Sequence, residues 1–83
     1  MNSKTTEDFR NWLISSHNLQ RRSAGDIISR RNKLLSFISD PMDLPVYQIK
    51  IRLEEELAKG LFTRATLSGM VRAEKLFRKF KNL

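Results

Sequence analysis

Apolar and polar residues along this chain recur with a helical period, most clearly from Leu61 to Phe80, LFTRATLSGMVRAEKLFRKF. At about 100° per residue, Leu67, Met70, Val71, Ala73, Leu76, Phe77 and Phe80 fall on one broad apolar arc. Arg64, Ser68, Arg72, Lys75 and Lys79 fall on the opposite side, at steps of four, four, three and four. The spacing predicts a long helix with one face for a core and one line of positive charge carrying a single hydroxyl.

The rest of the chain repeats this logic. Thr5 or Thr6 caps a first helix, with Glu7 and Asp8 favourable in its first turn. Phe9, Trp12, Leu13 and Ser16 make its inner stripe, and Trp12 reads as a core anchor. This helix ends near His17-Asn18, because Asn tolerates the left-handed conformation of a helix end, and Leu19 folds back on the apolar side. Ser23 caps a second helix, paired with Asp26 three residues on. Its stripe is Ala24, Ile27, Ile28, Leu34, Leu35 and Ile38, with Arg31 in the middle. A charge there must reach water or find a carboxylate. Pairing with Glu or Asp at a rim is the favoured reading, and a functional Arg in a groove is the other. Pro41 stops the helix by Asp40. Pro41-Met42-Asp43-Leu44-Pro45 is the linker, with Asp43 as the next N-cap and Pro45 in the first turn. A third helix runs from Val46 to Lys59 on Ile49, Leu53 and Leu57, with Tyr47 and Ile51 off that stripe. Glu54, Glu55 and Glu56 are placed to meet basic residues of helix two. Gly60 ends the helix, and Leu61 and Phe62 pack back as Leu19 does.

Aligning Leu19 with Leu61, an offset of 42 residues, pairs Arg22 with Arg64, Ile28 with Met70, Arg30 with Arg72, Lys33 with Lys75, Leu34 with Leu76 and Ile38 with Phe80. It also pairs the two helix stops, Asn18 and Gly60. The chain therefore reads as two helical hairpins in tandem, although helices one and three do not match under this offset. The predicted fold is all-α, a compact bundle of four helices, with five as the upper count. It forms one domain over residues 1–83, with hairpin one at about 6–40, a linker at 41–45 and hairpin two at about 46–81.

Composition narrows the function. The chain has 83 residues, no Cys, three Gly and two Pro, and a formal net charge of +7. That excludes a disulfide framework and a thiolate metal site and disfavours disorder or a turn-rich β fold. The start, MNSKTTEDF, has no apolar region of a secretory signal, no run approaches a membrane span, and a cytoplasmic location is expected, at a nucleoid if the source is bacterial. The opening Met and the lack of a tag favour a complete small protein. Net charge of this size points to a polyanion, and six of the cations lie from Arg64 onward against one Glu.

Catalytic chemistry is not in evidence. His17 is alone and has no carboxylate helpers at metal-binding spacing. Glu7-Asp8 and the 54–56 run are sequence neighbours, which do not face each other on a helix. The glycines make no phosphate loop. No enzyme, cofactor, metal or small-molecule substrate is expected.

Residues LAKGLFTRATLSGMVR resemble a helix-turn-helix (residues 57–72), with Ala58, a Gly in the turn, and Thr66, Ser68 and Arg72 on the following helix. The turn is about one residue shorter than the common pattern. Such motifs place the second helix against DNA. Phe9-x-x-Trp12-Leu13, Leu19 and Ser23-Ala24-Gly25-Asp26-Ile27-Ile28-Ser29-Arg30 resemble the start of the SAM-like helical core-binding domain of tyrosine recombinases and phage integrases (residues 9–38). The resemblance implies a bundle that embraces duplex DNA without recombination activity, since the chain has no room for the catalytic domain.

The leading expectation is thus a nucleic-acid-binding protein, DNA favoured over RNA. Arg64, Arg72, Lys75 and Lys79 would contact phosphates, Thr66 and Ser68 would reach bases, and Arg21, Arg22, Arg30 and Lys33 would form a second patch. The alternative is a protein-interaction module, an adaptor or inhibitor that docks on a larger complex or a homodimer, favoured by a surplus of apolar residues that includes Tyr47, Ile51, Phe37, Phe62 and Phe80. Membrane binding is disfavoured because the apolar arc of the last helix belongs to the core.

Overall fold

In the computed structural model, which describes residues 3–82, the chain is all-α. Four helices are present among the described residues: α1 (Ser3–His17), α2 (Arg21–Leu35), α3 (Val46–Ala58) and α4 (Arg64–Lys81), with a short 3-10 turn at Pro41–Asp43. They form a four-helix bundle of two hairpins, α1–α2 and α3–α4, joined through packing of α2 on α4.

The core divides into two apolar clusters. Phe9 and Leu13 of α1 meet Ala24, Ile27 and Ile28 from the start of α2 and Ala73, Leu76 and Phe77 from the end of α4. Leu34 and Ile38 meet Ile49 and Leu53 of α3 and Leu67, Met70 and Val71 from the start of α4. Helices α2 and α4 therefore run antiparallel and supply both clusters, while α1 and α3 each cover a different half. Trp12 packs on the rim of the first cluster, with Phe80 at 5.8 Å between ring centroids.

Both helix stops fall where the repeat places them. Asn18 has φ 53° and Gly60 has φ 79°, left-handed positions that Asn tolerates and Gly adopts freely. The other boundaries differ from the sequence reading. Thr5 and Thr6 lie inside α1 rather than capping it, and Glu7 and Asp8 fall beyond its first turn, because the helix already runs from Ser3. Ser16 faces water. Ser23 and Asp26 do not cap α2: Leu19 docks on the first cluster and Gln20, at φ −69° and ψ 155°, turns the chain directly into the helix without a side-chain cap. The start of α3 is set by Pro45, not Asp43, because Pro45 forces Leu44 to an extended ψ of 143°. The carbonyl of Pro45 accepts from Gln48 N at 3.0 Å.

Helix α4 starts at Arg64, three residues later than the apolar pattern implies. Thr63 is its N-cap, its Oγ1 accepting from Thr66 N at 3.3 Å. Phe62 packs back as expected, edge-on to Phe37 at 5.2 Å, but Leu61 is half exposed. The carboxylate run does not reach α2. Glu54 instead holds Arg64, with Arg64 Nη1 and Nη2 donating to Oε1 and Oε2 at 2.8 and 2.9 Å.

Arg31 is paired, and deeper than a rim site. Its Nε donates to Glu74 Oε1 at 3.0 Å, and its guanidinium lies 3.5 Å from the Phe77 ring centroid. Arg78 Nε donates to Glu74 Oε2 at 2.8 Å, and its Nη2 donates to the carbonyls of Pro41 and Leu44. One carboxylate thus joins α2, α4 and the linker between the hairpins.

Candidate nucleic-acid interface

The inward commitment of α4 fixes what it shows to solvent. Leu67, Met70, Val71, Ala73 and Phe77 are buried, so Ser68, Arg72, Lys75 and Lys79 are exposed on the outer side, and Arg64 with them. Helices α2 and α3 flank that face, and a shallow cleft runs along each side.

On the α2 side, Ser23, Asp26, Ile27 and Arg30 face Gly69 and Arg72, with Leu19 at the end. On the α3 side, Lys50 faces Leu67, Ser68, Val71, Arg72 and Lys75. Arg72 borders both clefts. The cations therefore form a strip across three helices, Arg30 on α2, Arg72 and Lys75 on α4, and Lys50 on α3, with Ser68 beside it. The clefts hold about 270 and 310 Å³, the first below and the second at the bottom of the roughly 300–1,000 Å³ of small-molecule pockets.

The predicted residues do not all join this strip. Arg30 and Arg72, equivalent in the repeat, come together across the α2–α4 cleft. Ser68 and Lys75 join them, and Lys79 continues the exposed line one turn further along α4. Thr66 is half buried and serves the helix start, its hydroxyl 3.2 Å from that of Thr63. Arg64 is exposed but engaged by Glu54, which raises its pKa through the hydrogen-bonded ion pair and lowers that of Glu54. Arg21, Arg22 and Lys33 are exposed on α2 and line neither cleft. Lys50 escaped the sequence reading. Its signal was the exposed position next to the Ile49–Leu53 stripe, on the flank toward α4.

Arg31 is not part of this surface. Burial pushes its guanidinium below the usual value while Glu74 pulls it back up, and the side chain remains charged. Among the described residues, no group of three or more His, Asp or Glu side chains could hold a metal ion, and no helix is long and apolar enough to cross a membrane.

The opposite flank of α3 differs in character. Arg52, Glu55 and Glu56 border a polar cleft with Phe37, and Tyr47 and Ile51 are 62% and 51% exposed on the outer side of the helix. No family model, no curated protein and no solved structure matches this chain.

Proposed function

We propose that this is a small basic nucleic-acid-binding protein that holds duplex DNA by phosphate contacts on its helix faces, in the cytoplasm. The observation that carries the reading is the cationic strip Arg30–Arg72–Lys75–Lys50, gathered from three helices and not consumed by ion pairs. Among the described residues, none of the four forms a salt bridge, whereas Arg10, Arg31, Lys59, Arg64 and Arg78 do. Arginine forks match phosphate oxygens in geometry, and a strip of this kind gives affinity and steep salt dependence with little base readout. Ser68 is the remaining candidate base reader. The sequence resemblance of residues 57–72 to a helix-turn-helix and of residues 9–38 to an integrase core-binding domain points the same way.

The test is a charge reversal. Arg72→Glu, Lys75→Glu and Lys79→Glu together are expected to abolish duplex binding, measured by fluorescence anisotropy, with helicity by circular dichroism unchanged. Full binding by the folded triple variant would refute this surface.

Exposed Tyr47 and Ile51, one helical turn apart on α3, favour a second reading, a protein-interaction module. A protein partner or a second copy would cover them. Sedimentation velocity showing a tight dimer that Ile51→Glu dissociates, with no DNA binding at moderate salt, would favour that reading over the first.

A further inference from the structure

Gly69 is the sixth residue of α4, inside the helix and on the side that faces α2. A glycine there weakens the helix by about 1 kcal/mol relative to alanine. Its backbone is helical and makes no demand that alanine could not meet, since the left-handed glycine of this chain is Gly60. What the missing side chain permits is a close approach. A Cβ at Gly69 would lie 3.1 Å from Arg30 Nε, 3.2 Å from Cδ and 3.4 Å from Cγ. The stem of Arg30 therefore rests on the bare surface of α4, and Arg30 lines the cleft that Arg72 borders from the other helix.

We propose that Arg30 and Arg72 form a clamp for one backbone phosphate of nucleic acid, and that Gly69 is the positioning residue that holds Arg30 in it. This rests on the nucleic-acid reading above and adds to it the particular contact and its geometry. Two guanidinium groups from different helices can take separate oxygens of one phosphate. Asp26 also borders the cleft, one turn before Arg30, and offsets one of the two positive charges. The pair therefore suits a single phosphodiester rather than a multiply charged phosphate group. Leu19 and Ile27 give the same cleft an apolar side against which a sugar can lie.

The experiment is duplex-DNA anisotropy over a salt series with wild type, Gly69→Ala, Arg30→Gln and the double variant. Each phosphate contact contributes about 0.9 to the slope of log affinity against log salt. Wild type is expected to bind. Gly69→Ala and Arg30→Gln are each expected to bind several-fold more weakly with little change of slope, because Arg72 still neutralises the shared phosphate, and the double variant to lose no more than Arg30→Gln alone. Gly69→Ala is also expected to melt no lower than wild type, so that loss of binding cannot come from loss of fold. Wild type that fails to bind overturns the nucleic-acid reading and the clamp together. Wild type that binds while both single variants keep full affinity, or a slope that falls by about 0.9 in Arg30→Gln as it would if Arg30 held a phosphate of its own, overturns the clamp alone. Losses that add in the double variant show that Gly69 does not act through Arg30. Arg30→Gln alters an exposed side chain and keeps the question decidable even if Gly69→Ala perturbs α4.

Discussion

The Nε of Arg31 lies 3.0 Å from Oε1 of Glu74, with the two side chains 6% and 1% exposed. Glu74 is the one carboxylate for two guanidinium groups, and both of its oxygens are engaged. Glu74→Ala leaves Arg31 buried without a counter-charge, and breaking a buried pair in this way costs about 3–5 kcal/mol. Replacing the pair together, Arg31→Met with Glu74→Leu, is expected to recover most of that loss, since apolar replacements of buried ion pairs are commonly neutral or stabilising. Urea unfolding of the single and double variants checks both outcomes.

Arg78 ties that carboxylate to the linker through the carbonyls of Pro41 and Leu44. Hydrogen bonds from a charged group are worth about 1.5–3 kcal/mol each, and this one is partly exposed, so Arg78→Ala is expected at the lower end of that range. Hydrogen exchange localises the effect: amides of the Pro41–Asp43 turn and the start of α3 should lose protection before those of α1.

These two predictions concern the part of the molecule that sequence reading served least well. The stripes of α2 and α4 were legible because their apolar residues recur at the helical period. Arg31 was legible as an anomaly because it interrupts a stripe. Glu74 interrupts the stripe of α4 in the same way, between Met70 and Phe77, with the opposite sign. Pairing the two anomalies would have located the contact, but α4 ends in so many charges that Glu74 reads as one more surface residue. The turn residues Asn18 and Gly60 were legible because few residues adopt positive φ. The start of α4 was not, because Leu61 and Phe62 extend its apolar pattern while the cap at Thr63 decides where the helix begins. The basic face was legible on α4 alone. Its continuation to Arg30 and Lys50 depends on how helices pack, and no periodicity within one helix encodes that.

The cap at Thr63 has its own test. Thr63→Ala removes the acceptor for Thr66 N and is expected to cost about 1 kcal/mol, while Thr63→Ser should cost little. Thermal unfolding distinguishes them.

Gly60 holds φ 79°, and forcing alanine into that region costs about 1–2 kcal/mol. Gly60→Ala is therefore expected to lower stability by that amount. Asn18→Gly, at the equivalent end of α1, should be nearly neutral. Equal loss at both positions in urea unfolding would contradict the assignment of these two residues as matched helix stops.

The Arg64–Glu54 pair makes a pH prediction. The hydrogen-bonded guanidinium lowers the Glu54 pKa, so the folded carboxyl binds its proton less readily than the unfolded one. The contribution is complete above the unfolded pKa and is lost as pH falls through the lowered folded value. Both groups are exposed, so the effect is small and fades with salt. A carboxyl-detected titration should show the Glu54 midpoint rise in Arg64→Gln. An unchanged midpoint would mean that the pair does not persist in solution.

The central claim is that the outer face of α4, with Arg30 and Lys50 beside it, exists to hold a polyanion. The most direct measurement is fluorescence anisotropy of labelled duplex DNA, single-stranded DNA and RNA with the wild-type protein across a salt series. Tighter binding to duplex DNA, with a log–log slope corresponding to about four phosphates at about 0.9 each, is the expected result. Flat curves for all three polymers would contradict the claim and assign the charge to a protein partner.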